Sequence, residues 1–146
     1  MRLRSDDVAC WVLKSTRLPA ALDESWRPGT AASLTRCVRR SYRLALMGAG
    51  QPCLLWVSGR DQPGVHALGV VAGSVEDDDE DGPAVPVRLT LLAEPVPRGH
   101  LLGDPRMRDA EVLRMPAGSN PSWLSREQFA AVLDRVPCTG LGPWGP

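Results

Sequence analysis

Along the chain the apolar residues come in short blocks separated by turn-forming residues, a spacing that favours strands over long helices. Residues 8–14 (VACWVLK) are the first block, bounded by charge, and predict a strand. Residues 17–24, with Pro19 near the start of a Leu/Ala stretch, predict a helical turn. Between 34 and 47 the four arginines Arg36, Arg39, Arg40 and Arg43 interrupt the apolar positions, which fits a short strand followed by a helical turn. Residues 53–57 (CLLWV) predict a strand closed by Ser58-Gly59 and the turn Asp61-Gln62-Pro63-Gly64, with 65–71 (VHALGVV) as its hairpin partner. Both are apolar at consecutive positions, the pattern of a barrel wall with one face in the core and the other covered.

Gly69 inside the second of these strands marks a bend or a close backbone approach, and Pro86 in the strand predicted over 85–92 suits an edge position. Near the end, Ser125 and Gln128 have the spacing of a capping box. Phe129, Val132, Leu133 and Val136 then repeat at helical period, predicting a last helix. The sum is an α+β chain: a small mixed, mostly antiparallel β-barrel with a few peripheral helices. We expect one domain over 1–137, followed by an irregular Gly/Pro-rich tail over 138–146.

Charge changes this picture in one place. The formal net charge is zero, but six of the seventeen carboxylates sit in the single run Glu76-Asp77-Asp78-Asp79-Glu80-Asp81. Blocks of like charge repel and stay solvated, so 76–82 is expected as a disordered acidic loop. A neutral total argues against an indiscriminate phosphate binder. No apolar run approaches the ~18 residues of a membrane span, and the charged start MRLRSDD is unlike a secretory signal, so a cytoplasmic protein without a membrane partner is expected. Cys10, Cys37, Cys53 and Cys138 are widely spaced, with no metal-ligand signature.

At this point the residues resemble the EVE domain, a PUA-like family, along most of the chain. The family opens on a strand ending Trp-x-x-Lys-Ser, matched by Trp11, Lys14 and Ser15. A strand of the form Gly-Ile-x-x-Ile-Gly-x-Val is similar to residues 64–70, and a central Gly-Asp with a strand ending aromatic-His-Ser is similar to Gly50-Gln51 and Trp56-Val57-Ser58. Leu113-Arg114, Gly118-Ser119-Asn120 and Ser122 resemble the family's closing segments, whereas its Trp-x-Gly-Val-Arg-Asn box survives only as Val38-Arg39. The resemblance implies a PUA-like barrel with a pocket related to that of the YTH domain and linked to the recognition of modified bases.

Five tryptophans against one Tyr and one Phe supply the aromatic surface such a pocket needs. Trp26, Trp56 and Trp123 are the candidate stacking residues, each of them equally at home as core filler. Ser15, Ser58 and Asn120 are candidates for reading a base edge. Lys14, Arg36, Arg39 and Arg40 are candidates for phosphates, with a solvated surface as the alternative. His66 and His100 stand alone, and no carboxylate pair, Ser/His/Asp set or phosphate loop appears.

The expected function is therefore a non-catalytic, monomeric module without cofactor or metal. It would accept a modified nucleobase from single-stranded or locally opened nucleic acid. A protein-interaction module with a degenerate pocket is the alternative. A hydrolytic site of the related ASCH type would need a carboxylate and a hydroxyl gathered around Lys14.

Overall fold

The computed structural model describes residues 2–116 and 120–136. Seven strands form one sheet in the order β2-β6-β4-β3-β1-β7, with β5 added on β6. The strands are β1 (Cys10–Ser15), β2 (Ala31–Cys37), β3 (Pro52–Val57), β4 (Gly64–Val71), β5 (Glu76–Asp78), β6 (Gly82–Pro97) and β7 (Ser122–Leu124). The helices are α1 (Pro19–Leu22), α2 (Arg98–Leu102), α3 (Glu111–Arg114) and α4 (Arg126–Leu133). Short 3-10 turns lie at Ser5–Asp7, Tyr42–Leu46 and Pro105–Met107. Only β1 and β3 run parallel, and the other ladders are antiparallel. The fold is thus α+β with a mostly antiparallel sheet, as expected. Among the described residues no ladder joins the end strands β2 and β7 to close it. Just beyond them a single backbone bond, Arg39 N to Asn120 O at 2.9 Å, bridges the gap.

Strand alternation explains why β3 and β4 are apolar at almost every position. Cys53 and Leu55 point into one core with Trp11, Leu13, Ala67, Val87 and Leu89, all from strands. Leu54 and Trp56 point to the opposite face, where Val12, Leu68 and residues of the helical segments, such as Leu101, Val112, Phe129 and Val132, cover them. The sheet therefore has a barrel-side core and a helix-covered core.

The β3–β4 hairpin and the Ser125/Gln128 capping box form where the pattern places them. Gly69 is a close approach: a Cβ there would lie 1.9 Å from Arg88 O of β6.

Two expectations are corrected. Pro86 does not lie on an edge, because β6 has β2 on one side and β4 and then β5 on the other. It is tolerated because it falls between the end of the β4 ladder at Val87 and the start of the β5 ladder at Ala84. The acidic run, expected as a disordered loop, forms a hairpin arm instead. Glu76, Asp77 and Asp78 pair with Ala84, Pro83 and Gly82, and Gly82 takes a positive φ of 79° at the turn. The unpaired edge that β6 offers beyond β4 gives this short arm its backbone partners. The tail expected over 138–146 lies outside the described residues.

Candidate functional site

Several polar side chains converge at the end of β1. β1 and β7 pair only from Cys10 to Val12, yet β1 continues to Ser15. The side chain of Asn120 takes over from the ladder at Lys14. Its Oδ1 accepts from Lys14 N at 2.6 Å and its Nδ2 donates to Lys14 O at 3.0 Å. Arg36 Nη2 also reaches Lys14 O, at 3.4 Å, while Arg36 Nε is buried with no hydrogen-bond partner among the described residues.

The segment after β2 brings the other arginines. Ser41 caps the 3-10 turn Tyr42–Leu46 by accepting from Arg43 N at 3.2 Å, which fixes the start of the turn that carries Arg43. The Arg43 guanidinium then forms a two-pronged bond with Glu111 of α3, at 2.8 and 2.7 Å, and donates to Pro121 O at 2.9 Å. Ser122 Oγ adds a third donor to the Glu111 carboxylate at 3.0 Å. Bonding from Arg43, helped by Ser122, holds the Glu111 carboxyl below its ordinary range against the opposing effect of burial, and Glu111 in turn raises Arg43. Lys14 Nζ donates to Met115 O at 3.1 Å. Burial lowers the Lys14 pKa, the charge of Glu111 opposes that shift, and Arg43 reinforces it.

Above this network lies a cavity of about 230 Å³. Arg39, Arg40 and Arg43 line it together with Glu111 and Asn120, and Met115 and Pro121 give it apolar surface. This is less than the ~300–1,000 Å³ of drug-sized pockets, room for one small planar group.

Of the residues singled out in the sequence, Arg39, Arg40 and Asn120 line the cavity, and Lys14 and Arg36 support it from β1 and β2. Ser15 and Ser58 do not line it. Ser15 Oγ donates to Arg17 O and accepts from Arg17 N, and Ser58 Oγ donates to Ser15 O. The tryptophans are elsewhere as well. Trp56 is a fully buried side chain of the helix-covered core, because alternation from Leu54 turns it to that face. Trp26 is buried in the barrel-side core with its Nε1 donating to Thr30 O at 2.9 Å, and Trp123 packs half-buried against the same core. An aromatic wall built from these three does not form at this cavity.

Sequence reasoning missed Glu111, Arg43's pairing with it, and Met115. Glu111 lies in an unremarkable EVLR stretch, and its partners are 68 and 11 residues away, so no local spacing pointed to it. As to the hydrolytic set, Lys14, Glu111 and Ser122 do cluster. The carboxylate oxygens, however, accept from Arg43 and Ser122, and Lys14 Nζ donates to a backbone oxygen.

No protein-family model and no curated protein matches the sequence. Solved structures do match its fold. A hypothetical protein from Leishmania major aligns with a TM-score of 0.65 at 18% identity, over 90% of this chain and 96% of that one. A Pseudomonas putida protein aligns with a TM-score of 0.63 at 14% identity, over 86% and 98%. Human THYN1, solved in complex with 5-methylcytosine-containing DNA, aligns with a TM-score of 0.57 at 15% identity, over 86% and 96%. The DUF55 domain of human thymocyte nuclear protein 1 aligns similarly, with a TM-score of 0.59 at 14% identity, over 86% and 97%. At these identities the likeness establishes the fold alone, and it spans nearly the whole of each chain: the protein has the fold of the DUF55 domain of human thymocyte nuclear protein 1.

Proposed function

We propose that the protein is a non-catalytic module that takes a nucleic-acid strand across its arginine face and admits one base, a modified one, into the cavity above Lys14. The observation that carries this reading is the cavity itself, about 230 Å³ with Arg39, Arg40 and Arg43 around it and Asn120 and Glu111 in its lining. Arg39 and Arg40 serve the phosphates. The Arg43 plane, held by Glu111 and Pro121, supplies a flat cationic surface on which a base can stack in place of an aromatic ring. Asn120 and Glu111 offer a donor and an acceptor to the base edge. The fold shared with human THYN1, which was solved with 5-methylcytosine DNA, supports the same class of partner. A non-catalytic role is supported by Glu111, which is held ionised by Arg43 and Ser122, far from the near-neutral pKa that suits a general acid or base.

The test is fluorescence anisotropy with labelled single strands carrying cytosine or 5-methylcytosine, at two salt concentrations. Binding is expected to weaken about tenfold in Arg39→Ala, with the salt slope falling by roughly 0.7 for each phosphate that is no longer neutralised. A preference for the modified strand that persists at the higher salt supports entry of the base. Absence of binding to every strand removes the proposal.

A further inference from the structure

The acidic hairpin reaches the arginine face. Asp77 of β5 grips Arg40 with both carboxylate oxygens, Nε to Oδ2 at 3.1 Å and Nη2 to Oδ1 at 2.7 Å. Arg40 is one of the three arginines lining the cavity. The architecture enforces this meeting. Val38, just past β2, donates to Pro83 O at 3.0 Å, and Asp77 is the register partner of Pro83 in the β5–β6 ladder. Asp77 and Val38, two residues before Arg40, are thus both anchored to the same residue of β6.

Five further carboxylates surround Asp77 in sequence, and the turn is tightened by Glu80 N donating to Asp78 Oδ1 at 2.9 Å. Without the six acidic side chains of this run, seventeen basic residues would face eleven acidic ones. The arginine face therefore carries its own counter-charge on a hydrogen-bonded arm.

The two-oxygen fork of Asp77 has the geometry in which a guanidinium meets a phosphate. We propose that the acidic hairpin is an intramolecular competitor for the nucleic-acid face, with Asp77 occupying on Arg40 the position a strand phosphate takes. This inference rests on the nucleic-acid reading of the cavity. The Arg40 and Asp77 side chains remain 59% and 48% exposed, so the contact is weak enough to be displaced. A free nucleoside has no phosphate with which to displace it and gains nothing from Arg40. A polynucleotide exchanges Asp77 for its own phosphate and gains only the difference. The hairpin thereby suppresses indiscriminate polyanion binding and leaves discrimination to whatever enters the cavity.

The experiment measures anisotropy of a labelled single strand containing 5-methylcytosine with wild type, Asp77→Asn, Arg40→Ala and the double variant, at low and moderate salt. Melting curves check that each variant is folded. Asp77→Asn is expected to bind about two- to fivefold more tightly at low salt, with the gain shrinking as salt screens the hairpin. The gain is expected to vanish in the Arg40→Ala background. If wild type binds and Asp77→Asn binds equally, or if the gain survives removal of Arg40, the competitor role is wrong while the binding function stands. If neither wild type nor Asp77→Asn binds any strand, the function proposed above falls and this inference falls with it.

Discussion

Asn120 holds the backbone of Lys14 with two bonds, accepting from its N–H at 2.6 Å and donating to its carbonyl at 3.0 Å. A side chain here does what a neighbouring strand does elsewhere in the sheet, two residues past the last β1–β7 pair. Because Asn120 O also accepts from Arg39 N, one residue ties the end of β1 to the start of the arginine segment.

Replacing Asn120 with Ala removes both of these bonds, and Lys14 O is left with the longer contact from Arg36 Nη2 at 3.4 Å. The expected cost is about 1–3 kcal/mol, read as a lower urea midpoint with an unchanged slope. Asn120→Asp keeps an acceptor for Lys14 N but loses the donor to Lys14 O, so it is expected to fall between Ala and wild type near neutral pH. An Asn120→Ala protein as stable as wild type would show that the two bonds contribute nothing net.

Glu111 gives the site an acid limit. Its carboxyl is lowered, first by Arg43 and then by Ser122. A depressed carboxyl contributes stability that is fully present above its ordinary value of about 4.3 and is lost as pH falls through the lower folded value. Stability is therefore expected to be flat with respect to this group at neutral pH and to drop on acidification below about pH 4. Glu111→Gln is expected to cost about 2 kcal/mol at pH 7 and to lose that part of the acid dependence. Denaturant melts of both proteins across the acid range up to neutral pH check this, and parallel curves over that range would refute it.

What could be read in the sequence was local. Strands β3 and β4, the capping box of α4 and the strand-then-turn in the arginine segment each rest on residues within a few positions of one another. They appear where the pattern places them. The candidate cavity and its support were legible in part: Lys14, Arg39, Arg40 and Asn120 carry charge or amide chemistry that marks them singly. Glu111 was hidden because its meaning depends on Arg43 across the fold. The tryptophans misled for a physical reason. A large ring is the commonest way both to build a stacking floor and to fill a core, and only strand alternation, with Leu54 and Trp56 on one face, separates the two. Truncating Trp56 is expected to cost about 3–5 kcal/mol, so lost binding in that variant would report unfolding rather than stacking.

Gly69 lies at a close approach of β4 to β6. A methyl group there meets Arg88 O at 1.9 Å, and the nearby backbone of Arg88 and Leu89 at 2.8 Å leaves no flexible side chain to move aside. Gly69→Ala is expected to destabilise by about 3 kcal/mol. Gly48→Ala, with nothing within 4 Å of the added carbon, is the control and is expected to be close to neutral. Equal melting temperatures for the two variants would mean that the sheet yields at this register.

Lys14 is the chain's one lysine, so an amine-reactive reagent reads it separately from everything except the α-amino group. Its side chain is buried and donates to Met115 O. Labelling of the native protein is therefore expected to be far slower than in urea. Burial also lowers its pKa, so the pH midpoint of native labelling is expected below the ordinary value of about 10.4. The charge of Glu111 opposes that shift, and removing it in Glu111→Gln is expected to move the midpoint lower still, whereas removing Arg43's charge would move it up. Mass spectrometry of the labelled peptide across the alkaline range gives the midpoint. A midpoint at or above the ordinary lysine value, or one that Glu111→Gln leaves in place, would show that the lysine does not feel the buried network from which the cavity is built.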